Sequence, residues 1–487
     1  MDPSLRRHIR NLGIAFTAAF LFLALALAYW QIYQSSWLLR QPYNRHWSLL
    51  ERQIQRGAIY DANGTALATS TGGGPGRRSY PTGSLCAHVI GYLSEKYGRT
   101  GIEGAMDAAL SGMGPSPDPL QLNPLLSGLR KEGDSVVLTL DLPTQRAASA
   151  ALGDRRGAVV ALDPSTGRIL ALVSHPSYDP STVDEDWDRL IADKASPLLD
   201  RALQGRFQPG STFKVLTASA ALDTGVDTPE DRFFCPGYIN INGYTIHEMD
   251  GEVHGHLTLA QALAQSCNIT FAQVGLKVGA AQMLDYAHRF WVDRPLDFVL
   301  PSTVGQIVSP RKTRSDRPVE PHSDTADLGL LRVKTILAQT AFGQGQVAIS
   351  PMEDAMISAA VANGGKLMKP YLVDRIVDPS GHTVKKTEPE LLSTPIKPET
   401  AAAVTEMMKL TLTEGTARHL QVPGLIMAGK TGTAQNPGHK THAWYVGFAP
   451  ADHPKVLACC IVEHGGVGGV EAGPVVRSTI LAALRRK

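Results

Sequence analysis

A chain of 487 residues with 43% hydrophobic and 19% charged residues has an ordinary globular composition and room for about two or three domains, which excludes a fibrous or wholly disordered protein. The formal net charge of +2 argues against a dedicated nucleic-acid binder, and no arginine cluster is interleaved with aromatics as a strand-tracking groove requires. The five cysteines, Cys86, Cys235, Cys267, Cys459 and Cys460, contain no Cys-x-x-Cys pair and give neither a recognised zinc pattern nor a disulfide framework.

In chain order, the first predicted element is a membrane helix. Leu12 to Trp30 is uncharged, mostly apolar and long enough to cross a bilayer. Arg6, Arg7 and Arg10 precede it, and no Lys or Arg follows before Arg40. The positive-inside bias therefore puts residues 1–11 in the cytoplasm, 12–33 in the membrane and the rest outside. Tyr29, Trp30, Tyr33 and Trp37 read as an interfacial belt. A cleavable signal peptide is the competing reading, since residues 24–28 contain small-x-small sites, and both readings place the bulk of the chain outside the cytoplasm.

Residues 34–130 form a unit rich in glycine, proline and arginine with no catalytic constellation. Residues 56–64 predict a short strand entering a turn, with Asn63-Gly64 supplying the positive φ angles of a hairpin. Residues 72–76, Gly-Gly-Gly-Pro-Gly, read as a flexible connector, and a proline-rich stretch over 114–124 ends the unit. From 131 onward the pattern changes. A strand over 135–140, a helix over 143–152 and a hairpin of 157–162 with 168–174, followed by a helical middle and late strands, predict an α+β layering. An amphipathic helix is expected from Ser350-Pro351 to Ala362, and Pro474 to Arg486 reads as a closing helix.

Three short motifs carry chemistry. Pro209-Gly210 is a turn signal, so Ser211 sits at or near a helix start, where free N–H groups favour a developing oxyanion. Lys214 follows one turn later on the same face and pairs a base with the nucleophile, its pKa pushed down by burial and by a second cation. Ser266-Cys267-Asn268 can direct Ser266 and Asn268 into one cleft, with Cys267 facing away, only if the backbone is locally irregular. Lys430-Thr431-Gly432-Thr433 opens a three-strand meander whose alternation makes the cleft an edge feature, and Gly432 would let substrate approach the backbone. The glycine-rich segment 341–346 allows similarly close approach. His247, Glu248, His254 and His256 invite a metal reading, but their spacing matches no recognised zinc pattern, so loop packing and no metal are expected.

Ser211-x-x-Lys214, Ser266-x-Asn268 and Lys430-Thr431-Gly432, in this order, resemble the signature of penicillin-binding proteins and class A β-lactamases. Arg78-Ser-Tyr-Pro, residues 87–92 and Gly101-Ile-Glu-Gly resemble, in short form, the N-terminal pedestal of class B, monofunctional penicillin-binding proteins. The resemblance implies a pedestal over 34–130 and a transpeptidase domain over 131–487, with an antiparallel sheet flanked by helices and an all-helical part. It implies Ser211 as nucleophile and Lys214 as base, with Ser266 relaying a proton to the leaving group and Asn268 orienting Lys214 and binding the substrate amide. Lys430 would supply charge for a substrate carboxylate held by the hydroxyls of Thr431 and Thr433, and the backbone N–H groups of Ser211 and Thr433 would form the oxyanion hole. The implied activity is cross-linking of peptidoglycan stem peptides ending in D-Ala-D-Ala, inactivated by β-lactam antibiotics, with no cofactor. Residues 1–130 are too few for a glycosyltransferase domain, so a separate membrane-embedded glycan polymerase of the SEDS type is the expected partner. A membrane-anchored β-lactamase or D,D-carboxypeptidase, and a non-catalytic β-lactam sensor or wall-synthesis scaffold, are the alternatives.

Overall fold

The computed structural model describes residues 3–34, 55–71, 77–112, 132–308, 324–436 and 438–485. Trp37, the 72–76 connector and the proline-rich 114–124 stretch lie outside them. Pro3–Ala28 is an α-helix continued by a π-helical turn at Tyr29–Tyr33, and the whole is long and apolar enough to cross a membrane.

The larger, C-terminal part is built on a five-stranded antiparallel sheet in the order Ala428–Ala434, His442–Ala449, Val456–Val462, Gly157–Leu162, Ile169–His175. Gly157–Leu162 and Val456–Val462 are buried along their whole length because helices cover both faces. Alternate residues therefore serve two cores. Val159, Ala161 and Cys460 pack with Val475, Val476 and Ile480 of the closing helix Gly473–Leu484. Ala158, Val160 and Cys459 face the larger core around Met352, Ala355 and Met356. Adjacent cysteines on opposite faces behave as small core hydrophobes, and all five are free thiols. The 157–175 hairpin forms as predicted, its turn closed by the Gly167 N–H donating to the Asp163 carbonyl at 2.9 Å.

The Pro351–Ala362 helix has the expected start, with the reciprocal Ser350/Glu353 capping box, but it is not amphipathic: all 12 residues are buried. It runs under the sheet rather than along the surface, which is what a helix apolar on every side requires. Its two acids are buried with it, and burial pushes Glu353 up to about 8 and Asp354 up to about 7.

The pedestal is not a separate bead. Its strands Ile59–Tyr60, Ala66–Thr71 and Arg77–Ser79 belong to a six-stranded sheet completed by Ser135–Leu138, Val373–Val377 and Thr383–Lys386. The last two were not foreseen, because they come from far along the chain and carry too few residues for a clear alternation. The Asn63-Gly64 turn also differs from expectation. Only Gly64 has a positive φ, 82°. The Asp61 carboxylate instead accepts the N–H groups of Asn63 at 2.9 Å and Thr65 at 2.7 Å, so a side chain rather than paired left-handed residues closes the turn.

Three pedestal segments, those that hold Arg56, Arg78 and Glu103, meet through charge. Glu103, wholly buried, accepts from Arg56 Nε at 2.7 Å and Arg78 Nε at 2.6 Å, while Arg56 also reaches Asp107 at 2.6 Å. Removing the shared carboxylate leaves two largely buried guanidinium groups poorly compensated, and breaking such a cluster costs about 3–5 kcal/mol. Glu103→Ala is thus expected to lower the unfolding free energy by about that amount, measured by urea denaturation. A loss no larger than that of an exposed ion pair would remove this cluster as the pedestal's main fastening.

Candidate active site

Ser211 stands in a 3-10 turn, Gly210–Phe213, that runs directly into the helix Lys214–Asp223. Ser211 is half-buried between fully buried neighbours. Three glycines fix this turn. Gly210 has φ 58° and donates its N–H to the Gly343 carbonyl at 2.9 Å, and a Cβ at Gly343 would come within 2.0 Å of the Gly210 oxygen. A Cβ at Gly432 would lie 2.9 Å from the Pro209 oxygen and 2.8 Å from Trp444 Cβ. This revises the expected role of Gly432: its missing side chain seats the nucleophile's own turn against the strand. The 341–346 segment packs at the cleft as anticipated, with Gln344 Nε2 donating to the Thr433 carbonyl at 3.4 Å.

Ser266 has the irregular backbone its motif requires. It is left-handed, φ 66° and ψ 32°, and ends the helix Leu259–Gln265 before Cys267 caps the next, Asn268–Val278. A non-glycine residue in this region is strained, and such strain persists only where surroundings hold it. Glu248 does part of the holding: its carboxylate accepts from the N–H of Asn268 at 2.9 Å and of Ile269 at 3.1 Å. Cys267 turns inward, away from the cleft, and is wholly buried.

The three motifs converge on one hydroxyl. The Lys214 ammonium donates to the Ser266 carbonyl, to Asn268 Oδ1 at 2.8 Å and to Ser266 Oγ at 3.3 Å. Lys430 approaches from the edge strand and donates to the same Oγ at 2.9 Å and to the Thr431 carbonyl at 2.9 Å. Among the described residues, the Ser211 hydroxyl has no hydrogen-bond partner. Thr433 Oγ1 accepts from the Gly468 N–H at 3.4 Å, and Thr431 Oγ1 lies 2.6 Å from Thr416 Oγ1. Thr416 is a site residue that sequence reasoning missed, since it belongs to no motif, and Glu248, assigned from the sequence to loop packing, instead braces the Asn268 turn.

Both lysines are wholly buried. Burial lowers Lys214 to about 8, against a partial upward pull from Glu248. Lys430 falls well below the usual lysine range through burial and then repulsion by Lys214. A neutral amine beside a serine is available near neutral pH, which is what activation of a hydroxyl nucleophile demands.

The residues that invited a metal reading behave in a way the sequence did not predict. His247 and His256 stay at the surface against Tyr238 and Phe234. Glu248 and His254, expected merely to pack a loop, meet Cys235 and Cys267 in one buried cluster.

A buried sheet-edge lysine and a second buried lysine meeting at a left-handed serine, next to a serine at a helix start, define a serine acyltransferase of the penicillin-binding type, and the comparisons with known proteins agree. The Penicillin binding protein transpeptidase domain matches residues 157–481, and the Penicillin binding protein A dimerisation domain matches residues 56–136. The chain belongs to the penicillin-binding protein transpeptidase family. It is 35% identical to the peptidoglycan D,D-transpeptidase PbpA of Mycobacterium tuberculosis, over all of this chain and 99% of that one, and 34% identical to PbpA of Mycolicibacterium smegmatis over the same shares. Among solved structures it is similar to penicillin-binding protein A from M. tuberculosis as its ceftriaxone acyl-enzyme, with TM-score 0.80 and 33% identity over 89% of this chain and 99% of that one.

With Lys214 in the role of base that the resemblance implies, and with burial lowering it to about 8, the rate of Ser211 acylation is expected to climb roughly tenfold per pH unit below that value and to level off above it. Stopped-flow acylation by a chromogenic β-lactam from pH 6 to 9 measures this. A flat profile would exclude a lysine of depressed pKa as the base.

Proposed function

We propose that the chain cross-links peptidoglycan stem peptides as a serine D,D-transpeptidase, through an acyl-enzyme on Ser211. The observation that carries this reading is the convergence of Lys214, Lys430 and Asn268 about Ser266, beside the turn that presents Ser211. Neutral Lys214 takes the Ser211 proton as Oγ bonds to the penultimate D-Ala carbonyl carbon. The backbone N–H groups of Ser211 and Thr433 stabilise the resulting anion, a pairing supported by the seating of the nucleophile turn on the edge strand. Collapse breaks the bond to terminal D-Ala, whose nitrogen receives a proton relayed through Ser266. A second stem peptide's amine then attacks the ester, gives up a proton to Lys214 and leaves Ser211 reprotonated.

Lys430 serves the substrate carboxylate together with the hydroxyls of Thr431 and Thr433. Its depressed pKa fits that role, since an arriving carboxylate restores the charge that burial and Lys214 suppress. Penicillin enters the same chemistry as a mimic of the D-Ala-D-Ala end, and its opened ring stays tethered to Ser211. The Pro3–Tyr33 helix anchors the protein with its N-terminus in the cytoplasm and the catalytic domain outside, a reading supported by the arginines before the helix and their absence just after it.

Whole cells treated with a membrane-impermeant penicillin should yield a long-lived adduct of one intact molecule on the peptide containing Ser211. Ser211→Ala should abolish it. Lys214→Ala should slow acylation roughly 10²–10⁴-fold, the worth of a general base. Lys430→Ala should slow it about 10- to 100-fold, the worth of a charge-assisted hydrogen bond. Rapid turnover of penicillin, or undiminished labelling of Ser211→Ala, would overturn the reading.

The same proposal assigns a partner. The anchor helix and pedestal would contact a separate SEDS-type glycan polymerase in the membrane, a reading supported by the membrane-length helix that precedes the pedestal. Exchange of residues 1–130 for an unrelated anchor is expected to abolish co-purification with such a polymerase and to impair growth. Intact growth and unchanged co-purification would remove this partner.

A further inference from the structure

The strand Arg232–Cys235 pairs with Gly255–Thr258, and the loop between them folds back so that Glu248 and His254 stand over Cys235. Cys267 enters the same space from the other side. One ligand atom of each residue, two thiols, an imidazole nitrogen and a carboxylate oxygen, lies within 4.8 Å of all the others. Cys235 and Cys267 are wholly buried, Glu248 is nearly so, and His254 is half-buried.

Four of the separations between these atoms are close to the edges of a small tetrahedron, and every one is within 4.8 Å. Glu248 Oε2 is 3.7 Å from Cys235 Sγ and 3.3 Å from Cys267 Sγ, while His254 Nδ1 is 3.6 Å from Cys235 Sγ and 3.9 Å from Glu248 Oε2. Four donors at zinc bond lengths of about 2.0–2.3 Å define tetrahedral edges of about 3.3–3.8 Å. A hydrogen-bonded packing cluster needs no such closure. The imidazole is also turned as a metal ligand would be, since its other nitrogen, Nε2, lies 3.5 Å from the Glu252 carboxylate, the outer partner that leaves Nδ1 facing the thiols.

We infer that Cys235, Glu248, His254 and Cys267 bind a zinc-class divalent cation, which pins the Ser266-Cys267-Asn268 turn from behind the catalytic cleft. The donor set selects the metal, since two thiolates and an imidazole suit zinc rather than calcium or magnesium. All four positions are taken by protein, as in a structural site that holds no open place for water. Both thiols give up their protons on binding, so two protons leave as the cation enters. The cation's work is positional. Cys267 lies between the two residues that hold Lys214, and Glu248 also accepts the Asn268 N–H. Tying both to one ion fixes the left-handed Ser266 that the cleft depends on.

Three measurements test this on full-length protein in detergent, purified with a phosphine reductant and no chelator. Elemental analysis is expected to find about one zinc per chain. Replacement by cobalt should give the visible absorption of tetrahedral cobalt with thiolate charge-transfer bands. Both signals should disappear in Cys267→Ser and in His254→Ala. If Cys267→Ser fails to fold, His254→Ala decides, being a loop residue at the site's outer edge. Stripping zinc should slow Ser211 acylation, and restoring it should recover the rate in wild type but not in His254→Ala. These readouts separate the metal claim from the transpeptidase reading, because metal content is measured whatever the acyl acceptor. Protein that binds neither zinc nor cobalt, metal retained in both variants, or a Cys235–Cys267 disulfide in protein taken directly from cells would overturn the site. Zinc that binds here while its removal leaves acylation unchanged would overturn its positioning role.

Discussion

Two buried amines that share one hydroxyl set the terms for the rest of the molecule. Lys214 and Lys430 both donate to Ser266 Oγ with no exposure to solvent. At an effective dielectric of about 20, unit charges about 5 Å apart repel by roughly 3 kcal/mol, and desolvation adds to that. Burial and this repulsion both push the amines toward their neutral forms. The two lysines are not equivalent, because Lys214 feels the attraction of Glu248 whereas, among the described residues, the charge that acts on Lys430 is that of Lys214. One amine is thereby lowered to about 8, and the other falls well below the usual lysine range.

Holding such a site takes close backbone contacts more than side-chain packing. Gly210, Gly343 and Gly432 let three separate segments touch where any Cβ would intrude on backbone or neighbouring side-chain atoms. Ser266 contributes a strained residue at the junction of two helices, secured by caps on either side. The cost is offset by the large core beneath, where the wholly buried Pro351–Ala362 helix meets the sheet.

The motifs were legible because their chemistry demands particular residue types at local spacings: Ser211 and Lys214 one turn apart, Ser266 and Asn268 flanking an inward residue, Lys430 opening an edge strand. The late strands and the 157–175 hairpin were legible through runs of apolar residues between turn signals. What escaped was assembled over distance. Thr416 meets Thr431 only through tertiary structure. Cys235, Glu248, His254 and Cys267 are separated by loops whose lengths follow no metal pattern, and the cysteines alone read as core filler. The Pro351–Ala362 helix shows the same limit in reverse, since its capped start was plain while its depth depended on a sheet contributed by both ends of the domain.

The placement of the pedestal constrains how it can influence the cleft. Thr139 Oγ1 donates to the Ile169 carbonyl at 2.7 Å, the Ile169 N–H to Tyr371, and Arg168 Nη1 to Asp374 at 2.9 Å. These bonds fasten the pedestal sheet to Ile169–His175, one edge of the catalytic sheet, whereas Lys430 and Thr433 lie on the opposite edge. Between them stand Gly157–Leu162 and Val456–Val462, ladders buried on both faces, which resist deformation. A push on the pedestal therefore reaches the cleft as rigid movement of the whole sheet. The parts able to change the cleft without disturbing the sheet are the helical segments that carry Ser211 and Ser266, because they rest on it through glycine contacts and lysine amines instead of ladder hydrogen bonds.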